Sequence, residues 1–474
     1  MLLVAKQLHL LECHVTKLIF FPQQNSPMKT SARTAIFAST IIAGMLVTGG
    51  VVIPIKINAT QQSAVANSVT KATPFQVKIP QEKLDRISRR VSEYQWYEPI
   101  KGNDGKSVGW RYGTDINYMK ELADYWLKKY DWRKTEASIN RFKNYRAKID
   151  GLNLHFIVEK GSGSNPQPLL IIHGWPYSFI SYLDVIERLA HPERYGGNAE
   201  NGFDVIVVSV PGYGFSDAPT LPMGLAAFGR LYHKLITQVL GYKQYIVHGG
   251  DQGAISATFM AFEFPQAVKG LHTNMLFPRH PEASLGSGQV GSAPVTEAER
   301  QFVQAEAEMF NREMAYIQTH ITRPETLSVA MMDSPVGVAS WILEKYHSWA
   351  DKRSRRFEDI FTRERLLNEV MLYLVTDTFR TSLWTYAAFG HEPPVLPSGQ
   401  KITVPTAVTQ WQDPINPLRP REFVARSIAN ITQWTVMPQG GHFPFYEERE
   451  RYVADLLEFG RKLRQQGSGR GINN

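Results

Sequence analysis

The sequence predicts an α/β fold: a mostly parallel central sheet flanked by helices and interrupted by a long helical insertion. Three observations predict it. Short apolar runs bounded by Gly or Pro, at Leu169–Ile172, Val205–Val210, Tyr245–Val247 and Val268–Leu271, alternate with helical stretches such as Leu225–Leu240, the pattern of βαβ units. Between 278 and 397 the strand signal stops and helical stretches such as Glu297–Met314 and Leu366–Tyr373 take over. No plain loop of that length belongs in a compact domain, so this span reads as an inserted helical lid. Strand signals then resume at Thr406–Trp411 and Trp434–Met437, and an amphipathic helix from Glu447 to Leu463 closes the fold.

The elements before the sheet follow in order. Residues 1–66 read as an extension. Ala35 to Ile55 carries no charge, Lys29 and Arg33 precede it, and an Ala64-Val65-Ala66 pattern suited to signal peptidase follows. Such a run fits a cleaved export signal starting at Met28, a retained membrane anchor, or a buried helix. The first two predict an exported or membrane-anchored protein. Thr60 to Thr73 is a polar linker. From 67 to 146 helical segments predominate, one starting at Pro80 and another spanning Tyr118–Tyr130, with dense aromatics (Trp96, Trp110, Trp126, Trp132). This reads as a module that wraps a neighbour. A β-hairpin turning at Asp150-Gly151 opens the first part of the sheet domain, 147–277. The second part runs from 398 to 465, and 466–474 is a tail. No internal repeat is present.

Composition excludes several classes. The 474 residues are 43% hydrophobic and 20% charged, ordinary for a globular protein that buries a large core. The net charge of +8 is spread among both signs, without the clustered basic stripe that nucleic-acid binding needs. Cys13 is the only cysteine, so neither an internal disulfide nor a Cys-based metal site is available.

Four landmarks carry the chemistry. The run Tyr245–Val247 leads into His248-Gly-Gly-Asp251-Gln-Gly-Ala254 and then a helix. This is the nucleophile elbow of an α/β-hydrolase fold, with Asp251 where ester hydrolases carry Ser. Standing alone, the same pattern also fits an Asp that caps the next helix. A carboxylate is already ionised at neutral pH and attacks an sp³ carbon without a base, leaving an ester that activated water must hydrolyse. His442, in Gly440-Gly-His-Phe after the last strand, stands where this fold puts that base. Asp413, just past Thr406–Trp411, is the only acid between Glu392 and Glu422 and is the candidate to orient the imidazole. The loop His173-Gly-Trp-Pro follows the strand Leu169–Ile172. Its Trp175 N–H, paired with that of Gln252, is the candidate oxyanion hole. His173 and His248 read as structural, hydrogen-bonded residues.

Together these motifs resemble the microsomal-type epoxide hydrolases. The resemblance runs from about Pro74 to Phe459. It rests on Trp110-Arg-Tyr-Gly-Thr-Asp, Leu122-Ala-Asp-Tyr-Trp and Asp131-Trp-Arg in the N-terminal module. Five further motifs follow in the family's order: His173-Gly-Trp-Pro, Pro211-Gly-Tyr-Gly-Phe-Ser, Gly249-Gly-Asp-Gln-Gly, Asp333-Ser-Pro-Val-Gly and Gly440-Gly-His-Phe. It implies hydrolysis of small apolar epoxides by water, and two lid tyrosines that protonate the opening ring. Tyr316, before His320-Ile-Thr-Arg-Pro324, and Tyr386, in Leu-Trp-Thr-Tyr, match them. Two departures stand out: Gln252 replaces an aromatic or apolar residue, and Asp413 aligns only after a one-residue shift. No metal or organic cofactor is required, because nucleophile, acid and base are all side chains. The same triad would serve a dehalogenase, which needs N–H donors for halide where this chain offers phenols. A non-catalytic homologue would have lost the nucleophile or the base.

Overall fold

The computed structural model describes residues 68–275 and 296–469. The extension with its apolar run 35–55, the first part of the 278–397 insertion and the last residues of the tail lie outside the described residues. Among the described residues nine strands form one sheet: β1 Thr73–Phe75, β2 Lys143–Ile149, β3 Leu152–Glu159, β4 Gln167–Ile172, β5 Phe203–Val208, β6 Tyr245–Gly249, β7 Val268–Thr273, β8 Thr406–Gln410 and β9 Ile431–Val436. Their order is β1-β2-β3-β5-β4-β6-β7-β8-β9. The six from β5 to β9 in that order are mutually parallel; β1, β2 and β3 add an antiparallel edge.

Helices of eight residues or more are numbered here. Three precede the β2–β3 hairpin: α1 Gln81–Ser92, α2 Ile116–Lys128 and α3 Trp132–Asn140. Within the sheet lie α4 Leu183–Ala190, α5 Leu225–Lys234 and α6 Gln252–Glu263. Between β7 and β8 come α7 Glu297–Glu313, α8 Ala315–Thr322, α9 Pro324–Met331, α10 Pro335–Trp349 and α11 Arg363–Thr376, and α12 Arg449–Gly469 ends the fold. The N-terminal helices pack on α10 and α11, so the first module wraps the lid. Among the described residues no helix is long and apolar enough to cross a membrane.

Strand order fixes where a ligand can sit. From β4 the chain steps outward to β5, then returns to β6 on the other side of β4 and proceeds to β7. The loops after β4 and β6 therefore diverge at a switch point, where open parallel sheets form a crevice. Parallel strands covered on both faces read as continuous apolar runs, and every residue of β5 is buried.

The local differences from expectation have physical causes. β5 ends at Val208, two residues short of the apolar run, because the Val210 N–H donates to the His173 ring at 3.0 Å and leaves the ladder. The helix read as 225–240 is helical only to Lys234 and continues as a π turn, Leu235–Val239, in which the Thr237 hydroxyl bonds the His233 carbonyl at 2.7 Å. The closing helix begins at Arg449, because Glu448 departs from helical geometry (φ −138°, ψ 49°) after the separate turn Pro444–Glu447. Strand β1 lies in the module read as helical; three residues are too few to show a period.

Candidate active site

Asp251 stands between β6 and α6 with φ 49° and ψ −130°, a conformation L-residues adopt only under constraint. The constraint is crowding. A Cβ at Gly249 would lie 2.3 Å from the Gly253 carbonyl, and one at Gly253 would lie 2.1 Å from the Ile172 carbonyl oxygen of β4. Only glycines let the two strands' ends approach this closely. The Asp251 side chain makes no cap bond to α6, which removes the helix-capping alternative. It turns instead toward the β4 loop.

There the Trp175 backbone N–H donates to Asp251 Oδ1 at 2.9 Å, and the Gln252 N–H holds the same carboxylate. Both candidate oxyanion donors thus lie beside the Asp251 carboxylate. Burial raises the Asp251 pKa, against the pull of the His442 charge and of these two N–H groups. The Gln252 carboxamide is buried as well, with Oε1 accepting from the Tyr213 hydroxyl at 3.1 Å.

His442 enters from the loop after β9. Its Nδ1 is 2.9 Å from Asp413 Oδ2, and Asp413 is itself fixed by the Ile415 N–H at 2.9 Å. Nε2 faces Asp251 Oδ2 across 3.8 Å, beyond hydrogen-bond reach, and is buried with no hydrogen-bond partner among the described residues. Burial lowers the His442 pKa, but the Asp413 carboxylate and its hydrogen bond outweigh it, and the net shift is upward. The expected acid, base and nucleophile therefore meet in space, although Asp413 needed a one-residue shift to align.

The lid brings both tyrosines over the carboxylate. Tyr316 on α8 and Tyr386 in the turn Trp384–Ala387 are buried, their rings 5.9 Å apart and nearly perpendicular. The Tyr316 ring stacks on Trp175 at 5.3 Å, and among the described residues no side chain other than Tyr316 approaches the Tyr386 hydroxyl as a hydrogen-bond partner. Burial first, and then the nearby Asp251 charge, raise the Tyr316 pKa far above 10; burial, Tyr316 and Asp251 do the same for Tyr386. Both stay protonated and able to donate. They line a cleft of about 930 Å³, including its open mouth, with Asp251, Gln252 and mostly apolar side chains such as Ile255, Met309, Phe310 and Phe389. His173 and His248 are neutral and structural: burial lowers the first to about 4, and the second is held between His272 and the Tyr452 hydroxyl.

Two carboxylates escaped the sequence reading. Asp351, after α10, accepts the Gly440 N–H at 2.9 Å, and Glu447 accepts those of Gly441 and Phe443 at 2.8 and 2.9 Å. Glu447 had read as the first residue of a surface helix. Its place four residues after Phe443 was the one available signal.

An aspartate on a nucleophile elbow, a histidine–aspartate pair and a lid over the crevice define an α/β-hydrolase. Family models agree: residues 167–449 match the alpha/beta hydrolase fold, and residues 72–182 match the epoxide hydrolase N terminus. Epoxide hydrolase 1 of Oryctolagus cuniculus is 32% identical, over 81% of this chain and 88% of its own length. The crystal structure of juvenile hormone epoxide hydrolase from Bombyx mori superposes with a TM-score of 0.69 at 25% identity, covering 86% of this chain and 97% of that one. The Aspergillus niger epoxide hydrolase gives 0.68 at 27% identity, covering 83% and 97%. The chain belongs to the epoxide hydrolase family.

Proposed function

We propose that the protein hydrolyses apolar epoxides to vicinal diols through an ester on Asp251. The observation that carries this reading is the pairing of two protonated, buried phenols with a carboxylate already held by two N–H donors. Asp251 Oδ2, the oxygen not bonded to Trp175, attacks a ring carbon. The carbon–oxygen bond breaks, and the departing oxygen takes a proton from Tyr316 or Tyr386, since an alkoxide alone leaves poorly. His442 then takes a proton from water, whose oxygen attacks Asp251 Cγ. Negative charge develops on Oδ1, where the Trp175 and Gln252 N–H groups stabilise it. Collapse breaks the bond from Cγ to the substrate-bearing oxygen, which takes the proton of the newly formed carboxyl and leaves as the diol, and the proton on His442 returns to restore the phenol.

Apolar lining favours substrates with hydrocarbon bulk beside the ring. A haloalkane would meet two hydroxyls where a halide needs N–H donors. The test is covalent trapping: with styrene oxide, His442→Gln accumulates a mass adduct on the peptide carrying Asp251. An unmodified variant, under conditions where the wild type turns over, contradicts the two-step reading.

For the N-terminus we propose export or membrane anchoring through 35–55, supported by its uncharged length behind Lys29 and Arg33. Sequencing the mature N-terminus decides: a start near Asn67 indicates a cleaved signal, while an intact Met28 in a membrane fraction that resists carbonate indicates an anchor. An intact, freely soluble chain contradicts both.

A further inference from the structure

All four consecutive backbone N–H groups of the His442 loop have defined acceptors. Gly440 donates to Asp351 Oδ2 at 2.9 Å, Gly441 to Glu447 Oε2 at 2.8 Å, His442 to the Trp349 carbonyl at 3.0 Å, and Phe443 to Glu447 Oε1 at 2.9 Å. Two of these acceptors, Trp349 and Asp351, belong to the end of lid helix α10 and the segment after it. The Asp351 N–H also donates to Glu447 Oε2 at 2.8 Å. One carboxylate oxygen thus receives an N–H from the lid and an N–H from the loop that carries the base.

We propose that Glu447, supported by Asp351, is a positioning residue for His442, joining lid placement to the placement of the base. The inference rests on the function proposed above. Glu447 is 5% exposed and does not touch the cleft, so it acts only through the loop. The approach is close: a Cβ at Gly441 would lie 2.6 Å from both the Asp351 nitrogen and the Trp349 oxygen. Loop and lid are therefore in backbone contact at the point the carboxylate bridges. A buried carboxylate is costly unless its oxygens are filled. Here three N–H donors fill them, and such charge-assisted bonds are the strong ones.

Charged groups surround this clamp on every side. Asp413 and His442 face it from the site, Asp351 with its partner Arg353 and Lys352 from the lid, and the Arg355–Glu448 pair from the surface. Burial pushes the Glu447 carboxyl up to about 7, against the pull of its three N–H donors.

The role is confined to one half of the cycle. Ring opening uses Asp251 and the tyrosines; ester hydrolysis uses His442. In Glu447→Gln the side chain keeps its shape, but an amide nitrogen faces N–H donors and the loop loses at least one anchor. Single-turnover mixing with styrene oxide reads the two steps separately. Alkylation of Asp251 should proceed within about threefold of wild type, while ester hydrolysis slows about tenfold or more, so the ester accumulates. Asp351→Asn, which weakens the Gly440 anchor and the Arg353 pair but leaves the Glu447 carboxylate in place, should slow the same step by a smaller factor and decides the matter if the Glu447 variant does not fold. Equal slowing of both steps, or unchanged hydrolysis, overturns the proposal. His442→Gln runs alongside as the control. If it fails to trap the ester, the functional reading itself falls; if it traps the ester and the clamp variants do not, only the positioning role falls.

Discussion

On the proposed mechanism the two tyrosines belong to ring opening, His442 to ester hydrolysis and Asp251 to both. Tyr316 and Tyr386 face the Asp251 carboxylate from the lid and hold their protons far beyond neutral pH. Either Tyr→Phe change should slow ring opening roughly tenfold or more, and the double change by about 10² to 10⁴, the usual range for a general acid. Stopped-flow alkylation measures this, and a double variant with wild-type ring opening contradicts the assignment. His442 must be neutral to accept a proton from water. Its pKa lies above the ordinary imidazole value of 6.5 because Asp413 stabilises the charged form. Ester hydrolysis should rise with pH as His442 loses its proton, while alkylation, which needs no base, lacks that step. Asp413→Asn should lower the hydrolysis midpoint; an unchanged midpoint contradicts the Asp413–His442 coupling. At this scale the sequence was informative, because an elbow, a glycine-flanked histidine and an isolated acid each occupy a fixed place along the chain. It was silent on Glu447 and Asp351, because a carboxylate's burial is decided by elements distant in sequence.

At the scale of elements, the lid is bolted to the sheet by buried polar contacts. Glu369 of α11 accepts from the Ser178 hydroxyl at 2.7 Å and the Tyr446 hydroxyl at 2.9 Å, and also from Ser181. It links the loop after β4 to the turn after His442. Burial pushes its carboxyl up to about 7, only partly offset by those hydroxyls. The folded pKa lies above the unfolded one of 4.5. The folded state thus binds the extra proton, and this stabilisation is complete below 4.5 and lost as pH rises through about 7. The melting temperature of wild type relative to that of Glu369→Gln should fall as pH rises from about 4.5 to about 7 and level off above it. A constant difference contradicts a protonated lid anchor. Elements with their own period were legible: the hairpin turns at Asp150-Gly151 as the dipeptide predicts, and α7 runs Glu297–Glu313. Ends were less so, because tertiary bonds such as Val210 to His173 decide them.

For the whole molecule, the N-terminal module and the lid share one continuous apolar core that includes Ile87, Val91, Leu122 and Trp126. Ion pairs such as Lys83–Asp377 also cross between them, but Asp377 is 64% exposed. Trp126→Ala should cost about 3–5 kcal/mol, and Lys83→Ala below about 1 kcal/mol, read from urea midpoints. The reverse order contradicts a module held by apolar packing. The class of fold was legible because alternating strands and helices constrain topology. The wrapping module was legible in its dense aromatics (Trp96, Trp110, Trp126, Trp132); that it lies against lid helices α10 and α11 was not, since that depends on which helix faces meet. On the proposed mechanism all of these parts serve one event, the transient bonding of Asp251 to substrate carbon. A single turnover in H₂¹⁸O with enzyme in excess over styrene oxide tests it most directly. The account predicts ¹⁸O in the Asp251 carboxylate and an unlabelled first diol; ¹⁸O appearing at once in the diol, with the carboxylate unlabelled, would contradict it.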